Sequence, residues 1–158
     1  MIFATVGSQM PFDRMMKVID EWAKETQRSD IVAQVGNTQA QFQNLGCHVG
    51  FTPSEYQRQI EKAEVVIGHA GMGTILTCLE LGKPLLIMAR EGVRRETRND
   101  HQIATKNWVK DWQHVLEFDS AETLEQAYQA ALQMDTLPTS NQYSESDLID
   151  FLNGVINS

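Results

Sequence analysis

The sequence predicts an α/β fold, a Rossmann-like parallel sheet with helices on both faces. Short apolar, β-prone segments alternate with segments of helical spacing from the first residues onward. The strand-like segments are almost continuously apolar, which is typical of strands that helices cover on both faces. The chain has 158 residues, 42% of them hydrophobic and 22% charged, so we expect one globular domain over residues 1–158.

The first half of the chain contains four predicted strands, over residues 2–6, 31–35, 47–51 and 64–68. The first helix is expected over residues 11–28, because apolar side chains recur at helical spacing from Phe12 to Trp22 and Pro11 suits a first helical turn. A second helix is expected to begin near Thr52, which Pro53 follows, and to run to about residue 63.

The second half continues the same alternation. We expect a helix over residues 72–82, closed by Gly82, and a strand over 84–89. A charged loop at 91–98 leads to a helix over 99–112 and a last strand over 115–118. The next helix is expected over 120–134, since Ser120 and Glu122 are close to capping-box spacing. A loop at 135–143 and a helix over 145–156 complete an acidic, helical region from about residue 120.

Charge is distributed unevenly along the chain. The formal net charge is −8, all 13 lysine and arginine residues lie within residues 1–110, and residues 111–158 carry nine acidic residues. Nucleic-acid-binding proteins usually show a basic face or stripe, so this balance argues against a nucleic-acid partner. Arg90, Arg94, Arg95 and Arg98 lie close together. They form either a solvated loop, which composition favours, or a local anion site.

The cysteines, histidines and apolar runs bear on metal binding, membrane insertion and location. Cys47 and Cys78 form neither a disulfide framework nor a zinc motif, and the four histidines lack metal-ligand spacing. We therefore expect no metal. No apolar run approaches the roughly 18 residues of a spanning helix, and the first residues lack the basic region of a signal peptide. We expect a cytoplasmic location and no direct membrane span.

Parallel sheets bind ligands at the carboxyl ends of their strands, where residues 68–74 are the strongest candidate. A buried strand runs into Gly-His-Ala-Gly-Met-Gly-Thr and then into a helix. Small residues let a ligand approach the backbone, and a helix N-terminus attracts an anion, most often a phosphate. A tight strand-to-helix turn without a ligand remains the alternative, because the pattern is neither a full G-x-G-x-x-G motif nor a Walker loop.

A second small-residue turn, Gly7-Ser8, follows the first strand and precedes another helix. Turn formation alone explains this pair, but two such turns at one sheet edge favour a ligand site between them. Gly7-Ser8 lacks the context of a nucleophile elbow, and no catalytic triad or glycosidase-like carboxylate pair is recognisable. We therefore assign no catalytic residue on this chain.

A third candidate segment, Asn99 to Gln102, begins a predicted helix at the same sheet edge. Asn99 or Asp100 is a natural N-cap, and capping alone explains both residues. The imidazole of His101 and the amide of Gln102 lie in the first turn, where such side chains are suited to reading sugar hydroxyls.

Three motifs, taken together, resemble those of a known family. They are Gly-His-Ala-Gly-Met-Gly-Thr at 68–74, Leu-Glu-Leu-Gly-Lys-Pro at 79–84 and Arg-Asn-Asp-His-Gln at 98–102. In this order, over residues 1 to about 135, the sequence resembles the C-terminal, donor-binding half of family 28 glycosyltransferases of the GT-B type. It is most similar to stand-alone bacterial exopolysaccharide subunits, and also resembles the small catalytic subunit of the dolichol-linked N-acetylglucosaminyltransferase.

The resemblance implies inverting transfer of a sugar from a UDP-sugar to a lipid-linked acceptor, in exopolysaccharide or related glycan synthesis. It implies that the donor diphosphate is held by the turn and helix at 68–74, through Gly68, His69, Ala70, Gly71, Gly73 and Thr74, with Gly7 and Ser8 facing the same cleft. It further implies that His101 and Gln102 contact the donor sugar. We expect Asn99 and Asp100 to position that turn in the sugar site, and Arg90 to meet the phosphates. No metal or other cofactor is implied, because a helix terminus with basic or hydroxyl groups balances the leaving diphosphate.

One position departs from the family pattern. Family members commonly carry a glutamate that binds the ribose hydroxyls five residues before the glycine of the Gly-Lys-Pro segment, and this chain has Thr77 there. Glu80, nearly one helical turn later, is the expected substitute. The departure also supports an alternative function, a non-catalytic accessory subunit that activates or anchors a partner glycosyltransferase.

A complete GT-B enzyme has two such domains, and this chain supplies one. The resemblance therefore implies a membrane-associated partner subunit that binds the lipid-linked acceptor and carries the catalytic base. The acidic region 111–158 is either a docking surface for a basic partner or a solvated face. An α/β regulator without a nucleotide is a third hypothesis, which Gly7-Ser8 and the segment 99–102 disfavour.

Overall fold

The computed structural model describes residues 1–8, 10–96, 101–109, 112 and 114–134. Within them six strands form one sheet, namely β1 (Ile2–Thr5), β2 (Ile31–Gln34), β3 (Gly46–His48), β4 (Val65–His69), β5 (Leu85–Met88) and β6 (Val115–Glu117). Every pairing is parallel, in the order β3-β2-β1-β4-β5-β6. The predicted parallel α/β sheet is confirmed, and its strand order reverses between β1 and β4.

In the part of the chain that the structure describes, five helices cover the two faces of this sheet, namely α1 (Asp13–Glu25), α2 (Pro53–Lys62), α3 (Met72–Leu81), α4 (His101–Val109) and α5 (Ala121–Leu132). Successive side chains of a strand point to opposite faces. Ile2 and Ala4 of β1 accordingly pack in the core beneath α1 and α5, whereas Phe3 packs with Ile60 of α2 and Ile75 of α3. This alternation produces two apolar layers, one on each side of the sheet.

Helix α1 begins later than the sequence suggested. Its first residue is Asp13, and Phe12 occupies the N-cap position, so the expected role of Pro11 in the first helical turn is wrong. The Pro11 carbonyl oxygen instead accepts a hydrogen bond from Nη1 of Arg90 at 2.9 Å. Residues 10–12 therefore belong to the turn that joins β1 to α1.

Side-chain caps fix the starts of two helices. Thr52 and Glu55 form a reciprocal capping box at α2, as the Thr52-Pro53 start suggested. At α5 the box joins Ser120 to Thr123, so the expected partner Glu122 is wrong, because Thr123 occupies the third helical position. Helix α3 ends at Gly82, whose left-handed conformation (φ 66°) suits a residue without a β-carbon.

Strand β3 is shorter than expected and ends at His48. Residues 49–51 leave the sheet because Thr52 already caps α2 and because the Phe51 ring packs edge-on against Phe3, with ring centroids 5.8 Å apart. The charged segment contains a short 3-10 turn, Gly92–Arg94. The expectations for residues 97–100 and 135–158 lie outside the described residues. In the described part of the chain no helix combines the length and apolarity needed to cross a membrane.

Candidate functional site

A cavity of about 530 Å³ lies at the carboxyl ends of the central strands, beside the point where the strand order reverses. Ligands of doubly wound sheets bind at this point. The cavity brings together the Gly7-Ser8 turn after β1, the segment from His69 to Thr74, and Gln102 of α4. Three segments that the sequence singled out separately therefore share one site.

The N-terminus of α3 opens into the cavity. Gly71 is its N-cap and supplies no side-chain cap, and the first helical hydrogen bond runs from the Ile75 N–H to the Gly71 carbonyl at 3.1 Å. The N–H groups of Met72, Gly73 and Thr74 precede that bond and have no acceptor in the described part of the chain. Such groups, with the positive end of the helix dipole, attract an anionic ligand.

His69, the last residue of β4, presents a buried imidazole to the same space. Both ring nitrogens are shielded from solvent, and neither has a hydrogen-bond partner among the described residues. Burial, reinforced by the charge of Arg90, lowers the pKa of His69 to about 4, while the neighbouring Gln102 side chain acts in the opposite direction. At neutral pH the ring is therefore uncharged and offers one N–H donor and one acceptor.

Two glycines make room for the His69 ring. A β-carbon on Gly7 would lie 2.4 Å from Nε2 of His69, and one on Gly71 would lie 1.8 Å from Cε1. Gly7 also has a positive φ of 79°, which side chains rarely adopt. Gly73 is different, because nothing lies within 4 Å of the position of its β-carbon. The space beside Gly7 and Gly71 is thus taken by His69, and the space beside Gly73 is open.

Arg90 ties together the loops that border the cavity. Its guanidinium donates to the carbonyl oxygens of Val6, Met10, Pro11 and Glu96, the Val6 bond measuring 2.6 Å. The side chain is 4% exposed, and burial lowers its pKa. Both Nη atoms are engaged with backbone oxygens, so the predicted contact of Arg90 with phosphate stays a prediction. Through these hydrogen bonds Arg90 links the β1–α1 turn to the loop after β5.

The remaining charges of that loop are paired. Arg14 forms a bidentate ion pair with Glu96, at 2.8 Å and 2.9 Å, and the Glu91 N–H also donates to the Glu96 carboxylate. Burial alone would raise the pKa of Glu96, but the hydrogen bonds from Arg14 and Glu91 hold it below its usual value. Arg94 pairs with Glu91. Of the arginine cluster in the described residues, only Arg90 lines the cavity.

Gln102 lies in the first turn of α4 and lines the cavity, as expected for a residue that reads the ligand. Its Oε1 atom accepts a hydrogen bond from the Arg90 backbone N–H at 3.2 Å. The amide oxygen is therefore engaged by the protein, and the amide N–H₂ group is left as a donor for a ligand. Besides apolar side chains, the described cavity wall therefore offers the Gln102 amide and the N–H groups at the start of α3 as hydrogen-bond donors.

The hydroxyl groups of α3 are engaged within the protein. Thr74 is buried, and its hydroxyl bonds to that of Tyr56 at 2.7 Å. Thr77 lines the cavity and donates to the Gly73 carbonyl at 2.8 Å. Glu80 is exposed and does not line the cavity. The structure therefore places Thr77, and not its expected substitute Glu80, in the cavity wall.

The comparison with protein families decides what kind of domain this is. Residues 1–150 match the model of the glycosyltransferase family 28 C-terminal domain. The chain belongs to this family. The match covers nearly the whole sequence, so the resemblance that three short motifs carried extends to the domain as a whole.

Two curated relatives of this family 28 domain are the UDP-N-acetylglucosamine transferase subunits ALG13 of Homo sapiens and Candida albicans. The human protein is 43% identical over 47 residues, which cover 30% of this chain and 4% of the relative. The Candida protein is 34% identical over 50 residues, which cover 32% of this chain and 16% of the relative. The chain thus spans a small part of the length of either relative.

Solved structures share the fold at low sequence identity. An NMR solution structure of ALG13 superposes with a TM-score of 0.61 at 16% identity, covering 98% of this chain and 96% of that one. The glycotransferase of kitacinnamycin gives a TM-score of 0.58 at 16% identity, covering 99% of this chain and 38% of the enzyme. The expected correspondence with the C-terminal domain of GT-B glycosyltransferases is confirmed.

Several predicted site residues of the family 28 domain lie beside the cavity and not in its wall. Gly68 is buried within β4, where a β-carbon would lie 3.3 Å from Cγ2 of Thr74, so its small size lets α3 pack on the strand. Ala70 is 1% exposed and packs in the core beneath α2 and α3. His101 is exposed and does not line the cavity. Asn99 and Asp100 lie outside the described residues.

The sequence did not reveal one wall of the cavity. This wall consists of Gln34, Phe51, Pro53, Tyr56 and Met72. Gln34 ends β2 and Phe51 follows β3, so the rule that ligands bind at the carboxyl ends of strands was the signal that could have found them. It was missed because Gln34 and Phe51 fall inside the predicted strands 31–35 and 47–51, whereas the candidates at strand ends are the small-residue turns that follow them. Within the described residues no cluster of His, Cys, Asp or Glu is arranged to hold a metal.

Proposed function

We propose that this chain is the donor-binding subunit of a two-component inverting glycosyltransferase. It would bind a UDP-sugar and contribute to sugar transfer onto a lipid-linked acceptor, in exopolysaccharide or related glycan synthesis. The observation that carries this proposal is the N-terminus of α3, whose first three N–H groups have no acceptor among the described residues and open into a cavity that the Gln102 amide also lines. A diphosphate with sugar and base attached is a ligand rich in acceptors and matches such a cavity.

The residues of the cavity suggest how the donor would lie. The diphosphate would accept hydrogen bonds from the N–H groups of Met72, Gly73 and Thr74, beside the neutral His69 ring. The Gln102 amide would bind sugar hydroxyl oxygens on the α4 side. As the bond between sugar and diphosphate breaks, negative charge grows on the leaving diphosphate, and a fixed helix N-terminus stabilises that charge.

The proton of the acceptor hydroxyl would be taken by a group outside the described cavity. Glu96, the acidic residue in the cavity wall, has both carboxylate oxygens bound by Arg14. His69 has a pKa of about 4 because of burial, which makes it a weak base. These two observations support a catalytic base on a membrane-associated partner subunit that also binds the acceptor. The word "subunit" in the names of both ALG13 relatives points the same way.

Calorimetric titration with UDP and a panel of UDP-sugars tests the proposal. UDP-N-acetylglucosamine comes first, because both curated relatives are named for it. We expect one UDP-sugar to bind, with affinity reduced about 10-fold or more in His69→Ala and in Gln102→Ala. Gln126→Ala, a matched change of an exposed glutamine on α5, should bind as the parent chain does. Absence of binding both alone and with the partner present would refute the donor-binding role.

The accessory role is a second candidate, and the side chain of Thr77 favours it. Thr77 lines the cavity where the family commonly has a ribose-binding glutamate, and Glu80 does not reach the cavity. Transfer assays with the co-purified partner separate the two functions. A donor-binding subunit loses transfer in His69→Ala and Gln102→Ala, whereas an accessory subunit supports full transfer with either variant.

A further inference from the structure

We propose that the side chain of Gln34 reads the C4 carbonyl of the donor's base and so selects uracil over cytosine. This inference rests on the proposed function, and it assigns a specificity-determining role to a residue that no sequence motif marked. It is carried by the hydrogen bonds that orient the Gln34 amide and by the aromatic wall beside it.

A chain of hydrogen bonds fixes which way the Gln34 amide faces. The Gly7 backbone N–H donates to the Thr5 hydroxyl at 3.0 Å, so that oxygen already accepts one bond. Thr5 in turn donates its own proton to Oε1 of Gln34 at 2.6 Å. The Thr5 hydroxyl thus spends its one proton on Oε1 of Gln34, and the amide oxygen faces Thr5. The N–H₂ group is therefore the end left for a ligand.

Gln34 is 6% exposed, and its amide nitrogen has no hydrogen-bond partner among the described residues. The atom lies 3.8 Å from the position of a β-carbon on Gly50, next to Phe51. Gln34 lines the cavity and its nitrogen is not among the fully buried unpartnered atoms, so a ligand acceptor can reach it there. The Gln34 amide nitrogen is therefore a hydrogen-bond donor in the cavity wall that no described residue engages.

The surroundings of this donor fit a flat ring. Phe51, Pro53 and Tyr56 line the same part of the cavity, and Phe3 buttresses both aromatic rings from below, at centroid distances of 5.8 Å and 5.6 Å. Gln34 ends β2, which lies two strands from β4 and the α3 N-terminus. At about 4.8 Å per strand, the two positions are roughly 10 Å apart, the room that a nucleoside needs between base and diphosphate.

Uracil and cytosine differ in the group that would meet this amide. Uracil carries a carbonyl oxygen at C4, an acceptor, where cytosine carries an amino group, a donor. The Gln34 N–H₂ group can donate to the C4 carbonyl of uracil. With cytosine bound in the same way, the Gln34 donor would face the amino group, which is also a donor. A site built to bond one group rejects the analogue that cannot form the bond.

The test compares UDP with CDP by calorimetry in the parent chain, in Gln34→Glu and in Gln34→Met. Glutamate still accepts from Thr5 but presents an acceptor oxygen to the ligand, and methionine keeps the length without a donor. The exposed Gln41→Glu is the control for the added charge. We expect the parent chain to prefer UDP by about 10-fold or more, Gln34→Met to lose that preference, and Gln34→Glu to reverse it.

The ratio of the two affinities separates recognition from folding, since a damaged fold weakens both ligands equally. Equal affinity of the parent chain for UDP and CDP would overturn the inference, as would variants that keep the parent ratio, and in both cases the proposed function stands. Binding of neither nucleotide, with or without the partner, would refute the proposed function and this inference together. The parent-chain comparison needs no variant, so poor folding of a variant leaves the inference testable.

Discussion

The imidazole of His69 lies directly against the backbone of Gly71. A β-carbon on Gly71 would be 1.8 Å from Cε1 of His69, although the backbone of Gly71 (φ −89°) is one that alanine adopts readily. The need for glycine at this position therefore comes from the neighbouring ring and not from the turn itself.

Gly71→Ala is expected to displace the His69 ring, at a cost of about 1–3 kcal/mol in the free energy of unfolding. Donor binding should fall with it, because the ring leaves the cavity. The double variant Gly71→Ala/His69→Ala removes the clash and should recover the stability but not the binding. Thermal unfolding and calorimetry measure the two effects. Additive losses of stability in the double variant would contradict this account.

Gly73→Ala is the matched control for the same helix. Nothing lies within 4 Å of the position of its β-carbon, and alanine is the better helix former, so stability should stay equal or rise. A donor that sits on the α3 N-terminus should nevertheless bind more weakly, because the added methyl group enters the open space of the cavity. Unchanged donor affinity would argue against a ligand at this turn.

Acid should destabilise the fold through two histidines. Burial lowers the pKa of both His69 and His114 to about 4, below the usual 6.5, so the unfolded chain binds more protons between these values. The free energy of unfolding should therefore fall as the pH decreases from about 6.5 to 4, by up to about 3 kcal/mol for each histidine. His69→Asn should reduce that slope in urea unfolding curves measured across the range. A slope equal to that of the parent chain would contradict the assigned pKa.

Arg90→Lys distinguishes a structural brace from a phosphate ligand. Lysine keeps the charge but cannot bond four carbonyl oxygens at once. We expect a loss of about 2–4 kcal/mol in the free energy of unfolding, with donor binding reduced because the β1–α1 turn loosens. If Arg90 acted mainly on phosphate, Arg90→Lys would keep its stability, and donor affinity would depend more steeply on salt than in the parent chain.

Thr77→Glu tests the position that departs from the family pattern. Thr77 lines the cavity, so a glutamate there is expected to bind the ribose hydroxyls and raise UDP affinity by about 5- to 20-fold. Glu80→Gln should leave affinity unchanged, since Glu80 is exposed and outside the cavity wall. A loss of affinity in Glu80→Gln would instead assign the ribose contact to Glu80.

Local chemistry explains which parts of the fold were predictable. Elements whose signal lies within a few neighbouring residues were predicted. They include the start of α2 at Thr52 and Glu55, the end of α3 at Gly82, and the apolar strands β1, β4 and β5. The start of α1 was missed because a proline before a helix suits several positions. At α5, Thr123 completes the capping box in place of Glu122, since the reciprocal bond requires the third helical residue.

The site was predictable only where its residues are close in sequence. The segment 68–74 and Gln102 were found because strand ends and helix starts mark them. The contact between Gly7 and the His69 ring joins residues far apart in the chain, and no local pattern reports it. The engagement of Arg90 with four distant carbonyl oxygens is of the same kind, and so is the Gln34 amide, whose orientation depends on Thr5.

The most direct test of the central claim is to record backbone amide spectra while UDP-N-acetylglucosamine is titrated. The account predicts saturable shifts of the Met72, Gly73 and Thr74 amide signals, since their N–H groups are expected to bind the diphosphate. Amides of α5, such as that of Gln129, should stay in place. Saturable shifts confined to another surface, with the α3 signals unmoved, would contradict a diphosphate site at this helix.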